Sequence, residues 1–143
     1  MIRSPRCQTA VDYAKKAYAR LGHPHLTSAH LVLGLVTLNN GVGDTVLKSS
    51  GLSVESIERY LSSKCVASEE AVEQEGVVFG RSATDALSRA EQEAGRFRHS
   101  ILGVEHLALS LLAEERGEAA DLFTSAKVER DKLRQTILYD MNR

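Results

Sequence analysis

The 143-residue sequence contains no tryptophan, only three phenylalanines, two prolines and two cysteines. Two cysteines do not make a disulfide framework, so Cys7 and Cys65 are expected to be buried small hydrophobic residues in a reducing compartment. No apolar run approaches the roughly 18 residues that a membrane span needs. The amino terminus also lacks the hydrophobic core of a signal peptide. These absences predict a soluble cytoplasmic protein that binds no membrane.

The sequence also lacks an excess of positive or negative charge, because its formal net charge is −1. Residues 1–64 carry four more basic than acidic side chains, and residues 65–143 carry five more acidic than basic ones. Neither half is the basic block that a nucleic-acid surface needs, so no nucleic-acid binding is expected. The hydrophobic fraction of 43% is enough for a packed core, and the length suits one domain over residues 1–143.

An internal repeat appears when the sequence is aligned with itself. Residues 23–35 align with residues 99–111, and six of the thirteen positions are identical. Two of these identities pair histidines, His23 with His99 and His30 with His106, in a chain that has only five histidines. The register continues without gaps on both sides, so we interpret the sequence as a duplication with pseudo-twofold symmetry. The predicted boundaries are residues 4–64 and 82–142, joined by an acidic linker over residues 65–81.

Each copy is predicted to contain four helices. In the first copy, an apolar stripe at steps of three and four begins after Ser4-Pro5 and ends at Gly22. Ser28 is expected to cap a second helix that is apolar on all sides and therefore buried. A third helix covers about residues 43–50, and Ser53 is expected to cap the fourth.

The second copy repeats this plan. Its first helix is expected to open at Ser82 or Thr84, its buried helix to cover residues 105–115, and two further helices to cover residues 118–126 and 128–141. Strand patterns are nearly absent, and only residues 76–80 look extended. The acidic linker before them is expected to be a solvated loop or a short helix capped by Ser68. The predicted fold is all-α, an eight-helix bundle of two pseudo-twofold-related four-helix repeats.

The segments Leu21-Gly22-His23 to Leu35 and Glu105 to Leu109 resemble the signature of the Clp N-terminal repeat domain. That family carries a pattern close to L-G-H-x-x-I-G-T-E-H-L-L-L-G-L twice, at a spacing similar to that of the two segments here. The resemblance covers about residues 4–142. It implies a non-catalytic domain that receives adaptors and unfolded or tagged substrates for an ATP-dependent Clp unfoldase, with no cofactor, and that is monomeric in isolation.

The resemblance also implies a binding site at each T-E-H triplet, where ClpC-like proteins recognise phosphorylated arginine. The corresponding residues here are Ser28 and Ala29 in the first copy, and Val104 and Glu105 in the second. Ala29 lacks the carboxylate that pairs with a guanidinium group, and Val104 lacks the hydroxyl. At most one such site, near Glu105, is therefore expected.

Catalytic motifs are missing from the sequence. No Gly-Lys pair occurs, so there is no phosphate-binding loop for ATP hydrolysis. His23, His25 and His30 cluster as zinc ligands would, but the repeat partners of two of them favour a structural role. We expect no catalytic residues and no metal.

Two functions follow from these observations. The first is a module that docks adaptors or substrates for a Clp unfoldase, in cis as its N-domain or in trans as a free-standing regulator. The absence of an ATPase region before Arg143 favours the free-standing form. The alternative is the same fold reused to sense a small molecule or a peptide; an apolar pocket at the seam between the copies would favour it, and a flat charged patch would favour docking.

Overall fold

The computed structural model describes residues 1–38, 42–64 and 71–141. In these ranges the chain forms eight helices and four short strands. The helices are α1 Pro5–Arg20, α2 Ser28–Thr37, α3 Val42–Ser49, α4 Val54–Lys64, α5 Arg81–Arg96, α6 Val104–Leu112, α7 Glu118–Ser125 and α8 Arg130–Met141. The strands are β1 Ile2–Arg3, β2 Ala71–Gln74, β3 Val77–Gly80 and β4 Ile101–Leu102. The eight-helix bundle predicted from the sequence is confirmed.

The two central helices are α2 and α6. Every residue of α2 from Ser28 to Val36 is buried, as expected for a helix that is apolar all round. In the first copy α1 packs on α2, and in the second α5 packs on α6. The two copies meet where α2 contacts α5, α6 and α7, so the core is continuous across the seam.

Most predicted helix ends are confirmed. The Ser4 hydroxyl accepts a hydrogen bond from the Cys7 N–H, and Gly22 ends α1 with a φ of 68°. Ser53 caps α4, because its hydroxyl accepts from the Ser56 N–H at 3.1 Å. Gly51, with a φ of 94°, closes the turn after α3.

Several other predicted helix ends differ from the structure: the start of α6 and the end of α7 by one residue, the start of α8 by two, and three further ends for identifiable reasons. The N-cap of α2 is Thr27 rather than Ser28, and α5 begins at Arg81 with Gly80 as its N-cap, before Ser82 or Thr84. In both places an extended backbone pairs across the seam up to the first helical turn, and this pairing determines the boundary. Helix α6 ends at Leu112 rather than Glu115, because the chain turns so that Glu114 can reach α7.

The end of the predicted linker is a β-hairpin. Strand β3 lies within the segment that looked extended, but it pairs antiparallel with β2, for which the sequence showed no signal. All four residues of β2 are exposed, so no alternation of apolar and polar residues marked it. Cys65 and Ser68, and with them the predicted short helix, lie outside the described residues.

The strands cross between the copies with the same symmetry as the helices. Strand β1, before α1, pairs parallel with β4, before α6; β3, before α5, pairs parallel with Leu26, before α2. The Ser4 N–H donates to the Leu102 carbonyl at 2.8 Å, and the Gly80 N–H donates to the Leu26 carbonyl at the same distance. Ser4 aligns with Gly80 in the sequence repeat, and Leu26 aligns with Leu102, so the structure reproduces the register of that repeat.

No helix in the described part of the chain is both long and apolar enough to cross a membrane.

Candidate functional site

The predicted binding residues lie at two equivalent places, the amino-terminal ends of α2 and α6. Each end follows a residue that pairs with the strand of the other copy, and each carries a histidine in its first turn. The two ends therefore have the same backbone frame. Their side chains differ, and this difference decides what each end can bind.

Two histidine pairs hold these helix starts. The Thr27 N–H donates to His30 Nδ1 at 2.8 Å, so that nitrogen carries no proton and Nε2 carries it. The Nε2–H then donates to Nδ1 of His23 at 2.7 Å. In the second copy the Gly103 N–H donates to His106 Nδ1 at 2.8 Å, and His106 Nε2 is 2.8 Å from His99 Nδ1.

The geometry keeps these rings neutral. Burial, and then the nearby His23 and His25, lower the pKa of His30 to about 3. Burial, and then His99, also lower the pKa of His106. A protonated ring has no lone pair left at Nδ1 to accept the backbone N–H. The pairs His23–His30 and His99–His106 thus have a structural role, and we call them histidine clasps. The described residues hold no group of three side chains suited to a metal ion.

The α2 end is occupied by a polar network that joins the two copies. Ser28 is fully buried, and its hydroxyl donates to Glu114 Oε2 at 3.0 Å and accepts from the Ala119 N–H at 2.8 Å. Its own N–H donates to the Ser82 hydroxyl, which donates in turn to Glu118. The hydroxyl and N–H of Ser28 are thus both engaged inside the protein. The neighbouring Ala29 is also fully buried.

Glu114 is the buried carboxylate of this network, with 1% of its surface exposed. Its Oε2 accepts from the Ala120 N–H at 2.9 Å, so Glu114 and Ser28 together cap the start of α7. The Arg89 guanidinium lies 3.6 Å from Oε1. Burial raises the pKa of Glu114, and the Ala120, Ser28 and Arg89 contacts oppose that shift. Sequence reasoning missed Glu114, because a glutamate in a predicted helix end gives no sign of burial.

The α6 end has a different character. Val104 is buried, and it occupies the position equivalent to Ser28. Glu105 is half-buried, and its Oε2 lies 3.0 Å from the point where a Cβ on Gly103 would stand. Of the four predicted binding residues, only Glu105 keeps a charged side chain with access to solvent. The structure therefore does not bring the four together at one place.

Cys7 lies close to this second end, on the buried face of α1. Burial raises the pKa of its thiol to about 11; Arg3 acts to lower that pKa and Glu105 to raise it. A thiol with so high a pKa is a poor nucleophile at neutral pH. The prediction that Cys7 is a buried small hydrophobic residue is confirmed.

Concave surface lies elsewhere and was not visible in the sequence. A groove of about 330 Å³ crosses the seam between the end of α3 and the start of α8. Its lining includes Ser49, Ser50, Lys127 and Lys132, so it is polar. On the outer side of the first copy, three shallower grooves run along α4, and Val54, Glu55 and Glu58 each line two of them.

The structure thus defines a duplicated helical domain. Its two four-helix copies exchange their leading strands, and each copy holds a pair of hydrogen-bonded histidines. The chain belongs to the Clp repeat (R) N-terminal domain family, whose model matches residues 3–96 and again residues 78–143.

Curated relatives and solved structures agree with this assignment. The chain is 29% identical over 133 residues to the negative regulator of genetic competence ClpC/MecB of Bacillus subtilis. It is 28% identical over 133 residues to the chaperone protein ClpB of Oceanobacillus iheyensis. Each alignment covers 93% of this chain but only 16% of the relative, so the chain spans about one-sixth of the length of these proteins.

The fold matches two isolated N-terminal domains. The N-terminal domain of the chaperone ClpD of Arabidopsis thaliana superposes with a TM-score of 0.78 at 17% identity, covering 99% of this chain and 95% of that one. The Hsp104 N-terminal domain of Candida albicans superposes with a TM-score of 0.77 at 14% identity, covering 96% and 90%. At these identities the likeness establishes the fold.

Proposed function

We propose that this chain is a non-catalytic docking module for a Clp-type ATP-dependent unfoldase. It holds adaptor proteins or unfolded or tagged substrates, in cis as an N-domain or in trans as a free-standing regulator. One observation carries the proposal: the chain matches over nearly its whole length a fold found as the isolated N-terminal domain of Clp and Hsp104 chaperones.

The shape of the surface supports docking over small-molecule sensing. The groove at the seam is open and lined by lysines and hydroxyl groups, whereas a sensing site is expected to be enclosed and mainly apolar. The grooves along α4 are shallow and mix charged groups such as Arg20, Glu55 and Arg59 with an apolar floor. Such a surface suits a protein partner, because partner surfaces are broad and have polar rims.

For phosphorylated arginine we propose one contact, at Glu105. Its carboxylate can pair with a guanidinium portion, and it remains accessible. Ser28, Ala29 and Val104 offer no free charge at these helix ends. Their binding roles stay predictions from the resemblance, as do the cytoplasmic location and the monomeric state.

A pull-down tests the docking function. The tagged chain is incubated with lysate of its native host, and retained proteins are identified by mass spectrometry. Glu105→Ala is the test variant, and Glu115→Ala, an exposed glutamate that lines none of the grooves described above, is the matched control. Enrichment of a Clp unfoldase or of a protein that the unfoldase degrades is the expected result. Retention of a small molecule or an unrelated protein, without any Clp component, would overturn the proposal in favour of sensing.

A further inference from the structure

Strands β1 and β3 occupy equivalent places in the two copies but have different neighbours. Strand β3 has a partner on each edge, β2 on one and Leu26 on the other. Within the described residues, β1 pairs only with β4. At equivalent places in the two copies, the outer edge of β3 is therefore covered by β2, whereas the outer edge of β1 is open.

Hydrogen bonds show which groups face the open edge. The Gly80 N–H and the Val78 carbonyl both bond to Leu26, so the intervening residue, Phe79, turns its N–H and C=O toward Val72 of β2. In β1 the Ser4 N–H bonds to Leu102 in the same way, and Arg3 takes the place of Phe79. The N–H and C=O of Arg3 thus point away from β4, toward the open edge.

The side chains beside this edge are unusually apolar for a surface. Ile2 is 77% exposed, its register partner Ile101 is 50% exposed, and Met1 is 52% exposed. Arg3 follows Ile2 and points to the opposite face of the strand, where its guanidinium donates to the neutral amide oxygen of Gln8 at 3.1 Å. In the described residues no carboxylate lies within ion-pair distance of Arg3, so its charge is not neutralised by direct contact.

We propose that the outer edge of β1 is a β-augmentation site that receives an extended segment of a partner protein as an antiparallel strand, as β2 covers β3. Open strand edges bind such segments through main-chain hydrogen bonds, and side chains set the specificity. This inference deepens the proposed docking function and rests on it, since it names where and how a partner is held.

The register of the hairpin specifies the chemistry of the partner segment. In β2, Val72 lies opposite Phe79 and Glu73 lies opposite Val78. In β1 a cation, Arg3, replaces the phenylalanine, and Ile2 replaces Val78. The incoming strand therefore carries an acidic residue opposite Arg3, followed by a β-branched apolar residue opposite Ile2, whose partner on its other side is Ile101. Each is a cross-strand pair of the stabilising kind.

Fluorescence anisotropy with a labelled synthetic peptide tests the site. The probe is a capped hexapeptide with a central Glu-Val pair between threonines. Saturable binding to the chain is expected. N-methylation of the Glu amide, which faces Arg3, is expected to weaken binding at least tenfold, whereas N-methylation of the Val amide, which faces outward, leaves it within twofold. Equal effects of the two methylations, or no saturable binding at millimolar concentration, would overturn the proposal.

Arg3→Pro provides the matching change on the protein. Proline removes the N–H of residue 3 from the open edge and leaves the Ser4 bond to Leu102 in place. At least tenfold weaker peptide binding is expected, with unchanged helical circular dichroism. If this variant does not fold, the pair of methylated peptides on the wild-type chain still decides the question. Peptide failure, with Clp proteins retained equally by wild type and Arg3→Pro, would sink this inference while leaving the docking function intact.

Discussion

The two copies solve one packing problem in different ways, at the crossing of the outer helix over the central helix. In the first copy Gly34 of α2 lies against α1 so closely that a Cβ would stand 2.1 Å from the Ala10 carbonyl oxygen. In the second copy the equivalent residue, Ser110 of α6, donates its hydroxyl to the carbonyl of Ala86, the equivalent of Ala10, at 2.6 Å. A duplicated backbone can therefore be kept while one contact changes from bare van der Waals approach to a hydrogen bond.

The same lesson holds at the ends of the central helices. The histidine clasps are nearly identical in both copies, with N–N separations of 2.7 and 2.8 Å. Beside them, Ser28 with Glu114 forms a buried polar network, whereas the equivalent positions hold Val104 and Leu38. In both copies the histidine accepts from the backbone N–H at the helix start, whereas the neighbouring positions differ in chemistry.

The largest expected effect is the loss of a core leucine from either copy. Leu33→Ala and Leu109→Ala remove side chains that are almost fully buried at equivalent places in α2 and α6. Each is expected to lower the free energy of unfolding by about 2–5 kcal/mol, because a cavity remains. Urea denaturation followed by circular dichroism measures the loss. Near-neutral values for both would show that the two central helices do not share the core.

Alanine substitutions at the helix crossing test directly whether the two copies differ in how closely their helices approach. Gly34→Ala places a Cβ against backbone that has no room to yield, so we expect a loss of about 3 kcal/mol. The matched change Ser110→Ala removes one hydrogen bond and keeps the Cβ, so about 1 kcal/mol is expected. The same denaturation assay applies. Equal losses for the two variants would contradict the difference in close approach.

Glu114→Ala tests the network that exists in one copy only. The Ala120 N–H and the Ser28 hydroxyl lose their buried acceptor, and we expect a loss of about 2 kcal/mol. Glu118→Ala is the control and is expected to cost less, because Glu118, which accepts from the Ser82 hydroxyl in the same network, is only half-buried. A neutral Glu114→Ala would mean that the carboxylate does not support the start of α7.

The shared histidine clasps predict a dependence of stability on pH. His30 has a folded pKa of about 3 and an unfolded pKa near 6.5, so the unfolded state binds more protons between these values. Stability therefore falls as the pH falls below about 6.5, by about 1 kcal/mol between pH 7 and pH 5.5 from His30 alone. The lowered pKa of His106 acts in the same direction, and the raised pKa of Glu114 acts in the opposite one.

Urea midpoints across that pH range provide the measurement. His30→Asn keeps an oxygen acceptor for the Thr27 N–H and removes the titrating ring, so the slope against pH is expected to become shallower. An unchanged slope in this variant would assign the acid sensitivity to other groups.

The smallest effect on stability is expected at Glu105. It is half-buried and in ion-pair contact with no described cation, so Glu105→Ala is expected to change the free energy of unfolding by about 0.5 kcal/mol or less. Glu105→Ala is instead expected to weaken the binding of a peptide that carries phosphorylated arginine, and calorimetry measures that binding. A large loss of stability would make Glu105 a structural residue, like its neighbours at the two helix ends.

Much of the fold followed from local patterns. The stripe of α1, the all-round apolar α2 and the caps at Ser4 and Ser53 depend on residues a few positions apart, so they were predictable. The ends of α2, α5 and α6 were not, because pairing across the seam and the reach of Glu114 moved them. Strand β2 was missed for a different reason: all four of its residues are exposed, so it carries no apolar pattern, and within the described residues it pairs with β3.

The candidate site, too, was predictable only in part. The internal repeat, the alignment of His23 with His99 and of His30 with His106, and the family resemblance were all determined by the sequence, because duplication preserves residue order and periodicity. Only the tertiary structure decided that the hydroxyl and N–H of Ser28 are engaged in internal hydrogen bonds, that Glu105 stays accessible and that β1 has an open edge. Burial and hydrogen-bond pairing depend on which distant segments meet, and here those segments come from opposite copies of the chain.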